Sequence, residues 1–311
     1  MTDRHVVLLG PQRHDPDLSD VLASVAPEGP VAVVTAGWEE RESEDHELRE
    51  HVGREVRNLA VFERAEDVFR CDPELLAGMR ERHDRMRKVQ ELYRLRLAHA
   101  LEAAREILAR DEPDASLIEP EREAAIEIVR QIDAQHFQRI GELHADFDER
   151  WRPAEREHVA RHVEDLRRDL DGVDALCVAG GHVAILLNRL RLFDVLSLHS
   201  GPVIGWGAGA MVLGERVVLF HDSPPQGAGN AEVLEAGLGI VPGVVPLPHA
   251  KKRLRLQDAT RVGLFARRFG PSECVALDRG ARVDWKGERL EARAGTDRLT
   301  TEGAVEGMEA A

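Results

Sequence analysis

Short apolar segments closed by glycine mark the beginning of the chain. The segments "HVVLLG" (5–10) and "PVAVVTAG" (30–37) are rich in β-branched residues, which predicts two buried parallel strands. Between them, apolar residues recur at helical spacing from Leu18 to Val25. Residues 1–37 therefore predict a β-α-β unit.

The same alternation of strand and helix patterns returns in the second half. "DALCVAGG" (174–181) predicts a strand that ends in a glycine pair, and the leucine-rich "HVAILLNRLRL" predicts a helix directly after it. "RVVLFHD" (216–222) predicts another strand, and "ARVDWKGERLEAR" (281–293) predicts a β-hairpin. The chain after Thr300 is polar, and we expect it to fray.

The central segment, residues 38–170, has a different composition, which is rich in glutamate and arginine. A long amphipathic helix begins with Asp72 as its expected N-cap and Pro73 at the first helical position. A second begins near Pro120, and a shorter one covers about 153–170. At a rise of 1.5 Å per residue, each long helix would be roughly 45–55 Å long, and together they predict an antiparallel hairpin.

These patterns predict an α/β fold with a doubly wound, mostly parallel, flavodoxin-like sheet. The sheet domain is expected to be discontinuous, formed by residues 1–37 and 171–300, with a helical-hairpin insertion at 38–170 and a polar tail at 301–311. Two helices alone cannot bury the apolar surface of such an insertion. We therefore expect it to pack on the sheet domain, on the third helix or on a second copy of the chain, and we favour a homodimer.

Composition limits the possible partners. The chain has 311 residues, of which 43% are hydrophobic, and a formal net charge of −15. This acidity argues against binding to nucleic acids or anionic membranes. The three cysteines are scattered without a paired motif, and no apolar run is long enough to span a membrane, which indicates a cytoplasmic protein. We also expect no cofactor. The cysteines are Cys71, Cys177 and Cys274.

The segment "GPVIGWGAGAMVL", which begins at Gly201, raises a specific question. An apolar strand pattern meets a helix pattern at a glycine-rich corner, the form of a nucleophile elbow that presents one reactive side chain. The reactive position in this elbow would be residue 207, which is glycine.

Four motifs in sequence order resemble those of peptidase family S51, which includes dipeptidase E and cyanophycinase. They are the glycine pair before a leucine-rich helix, the elbow Gly205–Ala210, the acidic Asp222, and Pro248–His249 after "GLGIVPGVVPL". The resemblance covers roughly residues 1–37 and 172–290. It implies a fold similar to that of class I glutamine amidotransferases.

The resemblance also implies a catalytic arrangement. Residue 207 would be a serine, His249 would remove its proton, and Asp222 would orient the histidine. Gly207 has no side chain and cannot form an acyl-enzyme. A glycine relieves backbone strain at an elbow, so it suits a chain that has abandoned hydrolysis. An engineered loss of serine, or another nucleophile such as Ser200 or Ser223, are the alternatives.

Further positions follow from the same resemblance. The backbone amides of Gly180 or Gly181 and of Ala208 would stabilise an oxyanion. Trp206, before the nucleophile position, is similar to dipeptidase E. His182 follows the glycine pair and would either touch a ligand or cap the helix.

A basic cluster follows His249 in an otherwise acidic chain. It could bind a carboxylate or phosphate beside the elbow, or it could be ordinary solvated charge at a helix start. In the family this neighbourhood faces the substrate. The cluster consists of Lys251, Lys252, Arg253 and Arg255.

Other patterns favour structure over chemistry. His158 and His162 have the spacing of a helical metal pair, but an exposed charged helix explains them better, and we expect no metal. Met79 and Met86 fit core packing in the first long helix. Residues of the second long helix that could imitate a di-metal bundle are Glu127, Asp133, His136 and His144.

Three functions are consistent with these features. The first is a catalytically degenerate S51-like protein that binds a small acidic or peptide-like ligand. The second is an active peptide or amide hydrolase that uses another nucleophile or an activated water with His249 and Asp222. The third is an assembly module that acts through the helical insertion.

Overall fold

The computed structural model describes residues 4–221, 229–287 and 289–309. Short 3-10 helices cover Ala36–Arg41, Pro153–Glu155 and Val195–Leu198. The strands are β1 (His5–Leu9), β2 (Val31–Val34), β3 (Val56–Asn58), β4 (Ala175–Val178), β5 (Val203–Trp206), β6 (Arg216–Leu219), β7 (Glu232–Ala236), β8 (Val244–Pro248), β9 (Glu273–Leu277), β10 (Arg282–Lys286), β11 (Arg289–Ala292), β12 (Asp297–Leu299) and β13 (Val305–Gly307). The helices are α1 (Leu18–Val25), α2 (His46–Val52), α3 (Val61–Cys71), α4 (Pro73–Leu108), α5 (Ala115–Trp151), α6 (Glu157–Asp169), α7 (Val183–Leu192), α8 (Ala208–Leu213), α9 (Ala250–Arg253) and α10 (Ala259–Phe269).

The main sheet is mixed but rich in parallel strands. Its order is β11-β10-β1-β5-β4-β2-β3; the strands from β1 to β3 are parallel, and β10 and β11 form an antiparallel hairpin at one end. Alternate residues of the central strands belong to two different apolar cores. In β2, Val31 and Val33 belong to one core, and Ala32 and Val34 belong to the other. Both faces of the sheet are therefore covered, as expected for a doubly wound α/β fold.

Two smaller sheets extend the α/β part. β8 and β9 pair in parallel, and β12 and β13 continue that sheet in the order β13-β12-β9-β8. β6 and β7 form an antiparallel pair with a bulge between Val217 and Val218. The strand predicted at 216–222 is observed over Arg216–Leu219, and it lies outside the main sheet.

The long helices α4 and α5 form an antiparallel hairpin. Asp72 caps α4, since its carboxylate accepts a hydrogen bond from the Leu75 amide at 2.9 Å, as the Asp-Pro signal predicts. α5 begins at Ala115 rather than near Pro120, because Asp114 supplies the cap. Pro120 is the sixth residue of α5, where a proline lacks the N–H that would donate to the carbonyl four residues earlier.

A buried ion pair joins the hairpin to the rest of the molecule. Arg268 of α10 makes two hydrogen bonds, of 2.6 and 2.7 Å, to the carboxylate of Asp133 in α5. The Tyr93 hydroxyl of α4 donates to the same carboxylate at 2.7 Å and accepts from Arg268 at 3.0 Å. The side chains of Arg268 and Asp133 are only 2% and 7% exposed. Each charge is compensated by the other in a buried region where water cannot solvate it.

The structure differs from the sequence-based boundaries in two places. β3 lies within 38–170, yet it pairs with β2 as the edge strand of the main sheet, so the sheet continues past residue 37. The tail beyond residue 300 does not simply fray, since β13 pairs with β12. That α4 and α5 are an insertion into the fold remains a prediction. None of the described helices combines the length and apolar character that a membrane span requires.

Candidate functional site

The turn between β5 and α8 has the geometry of an elbow. Gly207 is the N-cap of α8, with φ 57° and ψ −127°, a conformation that residues with a Cβ rarely adopt. The strand before it and the helix after it are both buried. The chain therefore reverses direction in a single residue, as the sequence predicts.

The three glycines of the elbow have different steric surroundings. A Cβ at Gly209 would lie 2.0 Å from the backbone oxygen of Val178, and one at Gly205 would lie 2.6 Å from Cδ1 of Leu213. Position 209 therefore requires glycine, because a backbone oxygen blocks a Cβ, whereas a Cβ at position 205 would require the Leu213 side chain to shift. A Cβ at Gly207 would have one neighbour within 4 Å, the Gly180 Cα, at 3.3 Å. Position 207 thus has room for a small side chain.

The glycine pair after β4 borders the elbow. A Cβ on Gly180 would lie 3.3 Å from the amide nitrogen of Ala208. Gly181 has φ 135°, and a Cβ there would lie 2.3 Å from the Gly37 oxygen. That oxygen accepts a hydrogen bond of 2.7 Å from the His182 amide. The loop that carries the expected oxyanion amides therefore lies against the elbow.

Two side chains that the sequence placed at the ligand have structural contacts within the fold. His182 caps α7, because its Nδ1 accepts from the Ile185 amide at 3.3 Å. This is the capping alternative of the sequence analysis. Trp206 is only 8% exposed and packs in the same core as Leu9 and Ile204.

The carboxyl ends of β1 and β5 meet at the elbow. Leu9 pairs with Trp206 in parallel register, so Gly10 and Gly207 are the next residues along adjacent strands. A Cβ on Gly10 would lie 1.9 Å from the backbone oxygen of Asp278. The end of β9 therefore lies directly against the end of β1.

His249 is attached to this same edge. Its amide donates to the Leu277 oxygen at 3.1 Å, and the Lys251 amide donates to the Asp278 carboxylate at 3.1 Å. His249 has a left-handed backbone, with φ 59° and ψ 37°. A strained non-glycine residue of this kind is common in functional sites. Gly207 and His249 thus lie at the same edge, connected through Gly10 and Asp278.

The environment of His249 favours the neutral imidazole. Partial burial lowers its pKa below the ordinary value, and the positive charges of Arg253 and Lys252 lower it further. Among the described residues no side chain forms a hydrogen bond with its ring. A neutral imidazole can accept a proton, as a general base must.

The basic cluster does not act as a unit. Lys251 pairs with Asp297 at 3.4 Å, Lys252 is exposed, and the Arg253 guanidinium lies 5.9 Å from the Phe220 ring. Burial lowers the pKa of Arg253. Arg255 belongs to a separate pocket with arginines from other elements. Only the first part of the cluster remains beside His249.

Of the two alternative nucleophiles, Ser200 and Ser223, the structure describes Ser200 alone. Asp222 and Ser223 lie outside the described residues. Ser200 precedes β5, whereas the elbow follows it. A four-residue strand is about 13 Å long at about 3.3 Å per residue, so Ser200 lies at the opposite edge of the sheet from Gly207.

Three of the four histidines considered as metal ligands have other partners. His162 bonds to Asp67 at 2.9 Å, His144 bonds to Glu235 at 2.8 Å, and His136 stacks on Tyr93 with ring centroids 4.0 Å apart. Within the ranges that the structure describes, no three His, Cys, Asp or Glu side chains converge in a way that could hold a metal ion.

Comparisons with known proteins address the family. The model of peptidase family S51 matches residues 109–292, a range that includes α5 and α6 as well as the elbow and His249. No curated protein matches the chain. A peptidase from an acI-B1 Actinobacterium is structurally similar, with 13% identity, a TM-score of 0.49, and coverage of 99% of this chain and 95% of the other. A candidate peptidase E protein from Listeria monocytogenes EGD-e has 10% identity, a TM-score of 0.45, and coverage of 94% and 98%.

Proposed function

The chain belongs to peptidase family S51, and from that premise we propose that it binds a small acidic or peptide-like ligand at the elbow without cleaving it. Gly207 is the observation that carries this proposal. Its backbone has the elbow conformation and its surroundings have room for a Cβ, but the residue supplies no hydroxyl. Formation of an acyl-enzyme needs such a side-chain nucleophile.

The neighbouring groups support a binding role. The loop of Gly180 and Gly181 lies against the elbow, where backbone amides can donate to a ligand carbonyl oxygen. Lys252 and Arg253 supply positive charge near His249. A ligand with a carboxylate and an amide carbonyl would interact with both regions.

Retained hydrolysis is the main competing function. The lowered pKa of His249 favours it, because a neutral imidazole could activate a water. Assembly through the hairpin is a third candidate, favoured by apolar side chains that are more than half exposed on α4 and α5: Leu92, Leu95, Leu117 and Ile128. A homodimer through this face follows from the third candidate.

A dipeptide panel weighted towards N-terminal aspartate separates the first two functions. The panel is incubated with the native chain, with Gly207→Ser and with Gly141→Ser, and the released amino acids are quantified. Gly141 is an appropriate control because it lies on exposed helix with no neighbour within 4 Å of an added Cβ. We expect cleavage by Gly207→Ser alone.

Two other outcomes would contradict the proposal. Cleavage by the native chain that His249→Ala abolishes would establish an active hydrolase. If no variant cleaves and the native chain binds no member of the panel, the elbow is inert. The hairpin would then be the better candidate, and sedimentation velocity would test its self-association.

A further inference from the structure

The exposed apolar residues of this protein are concentrated on the helical hairpin. Among the described residues, every large apolar side chain that is exposed lies on α4 or α5. Leu92 and Leu95 of α4 are 66% and 61% exposed, and Ile128 of α5 is 53% exposed. Scattered leucines on a surface are ordinary, but their restriction to one pair of helices indicates an interaction surface.

A hydrogen bond between the two helices identifies the side on which these residues lie. The Arg96 guanidinium donates to the Gln135 side-chain oxygen at 2.5 Å, and both residues are exposed. Leu92 lies one helical turn before Arg96, and Ile128 lies two turns before Gln135, so both project from this side of the hairpin. The opposite side packs on β7 and α10. We refer to the side that carries Arg96 and Gln135 as the outer face.

The outer face is open along most of both helices. Positions seven residues apart, which keep to one side of a helix over this distance, remain exposed. They include Arg85, Leu92 and His99 on α4, and Ile128, Gln135 and Glu142 on α5.

The size of the outer face suits a stable protein interface. The 36 residues of α4 extend over about 54 Å at 1.5 Å per residue, and two helices about 10 Å apart give a face about 20 Å wide. Contact between two such faces would remove roughly 2,000 Å² from solvent in total. Stable interfaces between proteins have areas of this order.

The two helices carry opposite net charges. α4 has eight lysines and arginines and six acidic residues, whereas α5 has four arginines and nine acidic residues. If a two-fold axis runs parallel to the helices, α4 of each copy lies on α5 of the other copy. A two-fold axis perpendicular to the helices would place the acidic α5 on its own copy, which the repulsion of like charges disfavours. Charge complementarity therefore selects a second copy in the first arrangement.

Contacts within the hairpin give the register of this arrangement. Tyr93 stacks on His136, with ring centroids 4.0 Å apart. Lys88 lies five residues before Tyr93 and Glu142 lies six residues after His136, so in antiparallel helices the two are level with each other. A two-fold axis parallel to the helices preserves the level of each residue, so Lys88 faces Glu142 of the partner subunit. Glu142 lies 3.1 Å from Arg139 of its own helix, and a carboxylate can accept from both cations.

We propose that the outer face of the hairpin binds a second copy of the chain, so that two hairpins form a four-helix bundle in which adjacent helices are antiparallel. Leu92 and Ile128 bury apolar surface in the contact, and Lys88 pairs with Glu142 of the partner subunit. The two α/β parts lie on opposite sides of the bundle. The dimer therefore does not depend on ligand binding at the elbow.

Sedimentation velocity of the full chain from about 1 to about 100 μM, in about 0.15 M salt, measures the association. Leu92→Glu and Ile128→Glu each place a charge in the apolar contact. Lys88→Glu and Glu142→Lys each reverse one charge of the pair, and the double variant restores opposite signs. Arg289→Glu is the control for charge reversal, because Arg289 is 72% exposed on the β10–β11 hairpin, away from the outer face.

The proposal predicts a reversible equilibrium between monomer and dimer with a micromolar or lower Kd. Leu92→Glu and Ile128→Glu should each weaken the dimer at least about tenfold, because the contact would desolvate a carboxylate. Lys88→Glu and Glu142→Lys should each weaken it about fivefold or more, since the two-fold axis repeats the pair, and the double variant should return to within about twofold of the native chain. Arg289→Glu should change nothing. Circular dichroism melting verifies that each variant is folded.

Three results would overturn the inference. A chain that stays monomeric at about 100 μM would exclude a second copy as the occupant of the outer face, and it would leave the proposal for the elbow unaffected. A dimer that tolerates both Leu92→Glu and Ile128→Glu would have its interface elsewhere. If each single charge reversal weakened the dimer and the double variant did not recover, α4 would not lie on α5 of the partner subunit.

Discussion

Replacing Gly207 with alanine tests whether the elbow stores backbone strain. At φ 57° and ψ −127°, a residue with a Cβ costs on the order of 1–3 kcal/mol. Part of this cost is offset, since alanine reduces the freedom of the unfolded chain by about 0.4–1 kcal/mol. The contact of 3.3 Å with the Gly180 Cα adds little, because it requires a shift of only a few tenths of an ångström. We expect the free energy of unfolding to fall by about 1–2 kcal/mol.

Two other glycines calibrate this measurement. Gly141→Ala in the exposed middle of α5 meets no atom within 4 Å and should raise the free energy of unfolding by about 0.5–1 kcal/mol, the usual gain in a helix. Gly209→Ala should give the largest loss, because its Cβ would lie 2.0 Å from a backbone oxygen that cannot rotate away. Urea unfolding monitored by circular dichroism measures all three, with the slope m required to stay constant.

One result would refute the reasoning about strain. If Gly207→Ala were as stable as Gly141→Ala, the elbow conformation would carry no cost, and stability would not explain a glycine at this position. From most to least stable, the expected order is Gly141→Ala, the native chain, Gly207→Ala and Gly209→Ala.

Further predictions concern stability and charge. Asp133→Asn should lower the free energy of unfolding by about 3–5 kcal/mol, because it leaves the Arg268 charge buried without compensation; Glu142→Gln on the exposed face of α5 should change it by less than about 1 kcal/mol in the same urea assay. Burial raises the pKa of Asp284, but its hydrogen bonds with His5 and Arg282 lower it more, so that the pKa falls to about 2. The stability that ionised Asp284 contributes should be complete above its unfolded pKa and be lost as the pH falls from about 4 through about 2. Asp284→Asn should therefore destabilise the chain at pH 7 and flatten the pH dependence of the free energy of unfolding in that range. His249 should titrate in NMR with a midpoint below about 6.5, and a midpoint above that value would contradict its desolvation.

The parts of the fold that were predicted correctly depend on local patterns. Hydrophobic periodicity and the glycines that follow the strands suffice to identify β1, α1, β2 and the β4–α7 unit, because each is a contiguous segment. β3 has three residues, one of them buried, and β13 is short and polar. Their strand conformation comes from pairing with β2 and β12, which a local pattern cannot reveal.

The candidate site was predictable to a similar extent. Its glycine pair, elbow and histidine follow strands whose carboxyl ends share one edge, so order along the chain indicates proximity. The basic cluster after His249 is continuous in the sequence, but in the fold Lys251 pairs with Asp297, whereas Arg255 lines a pocket with residues of α4 and α10. Arg105 and Arg261 lie far apart in the sequence, and only the packing of α4 beside α10 brings them to one pocket.

The most direct test of the central claim is an equilibrium titration of the native chain with an aspartyl dipeptide, followed by mass spectrometry of the recovered ligand. The account predicts saturable binding at a single site, recovery of the dipeptide intact after prolonged incubation, and weaker binding by His249→Ala. Recovery of free amino acids, or the absence of any binding across the panel, would contradict it.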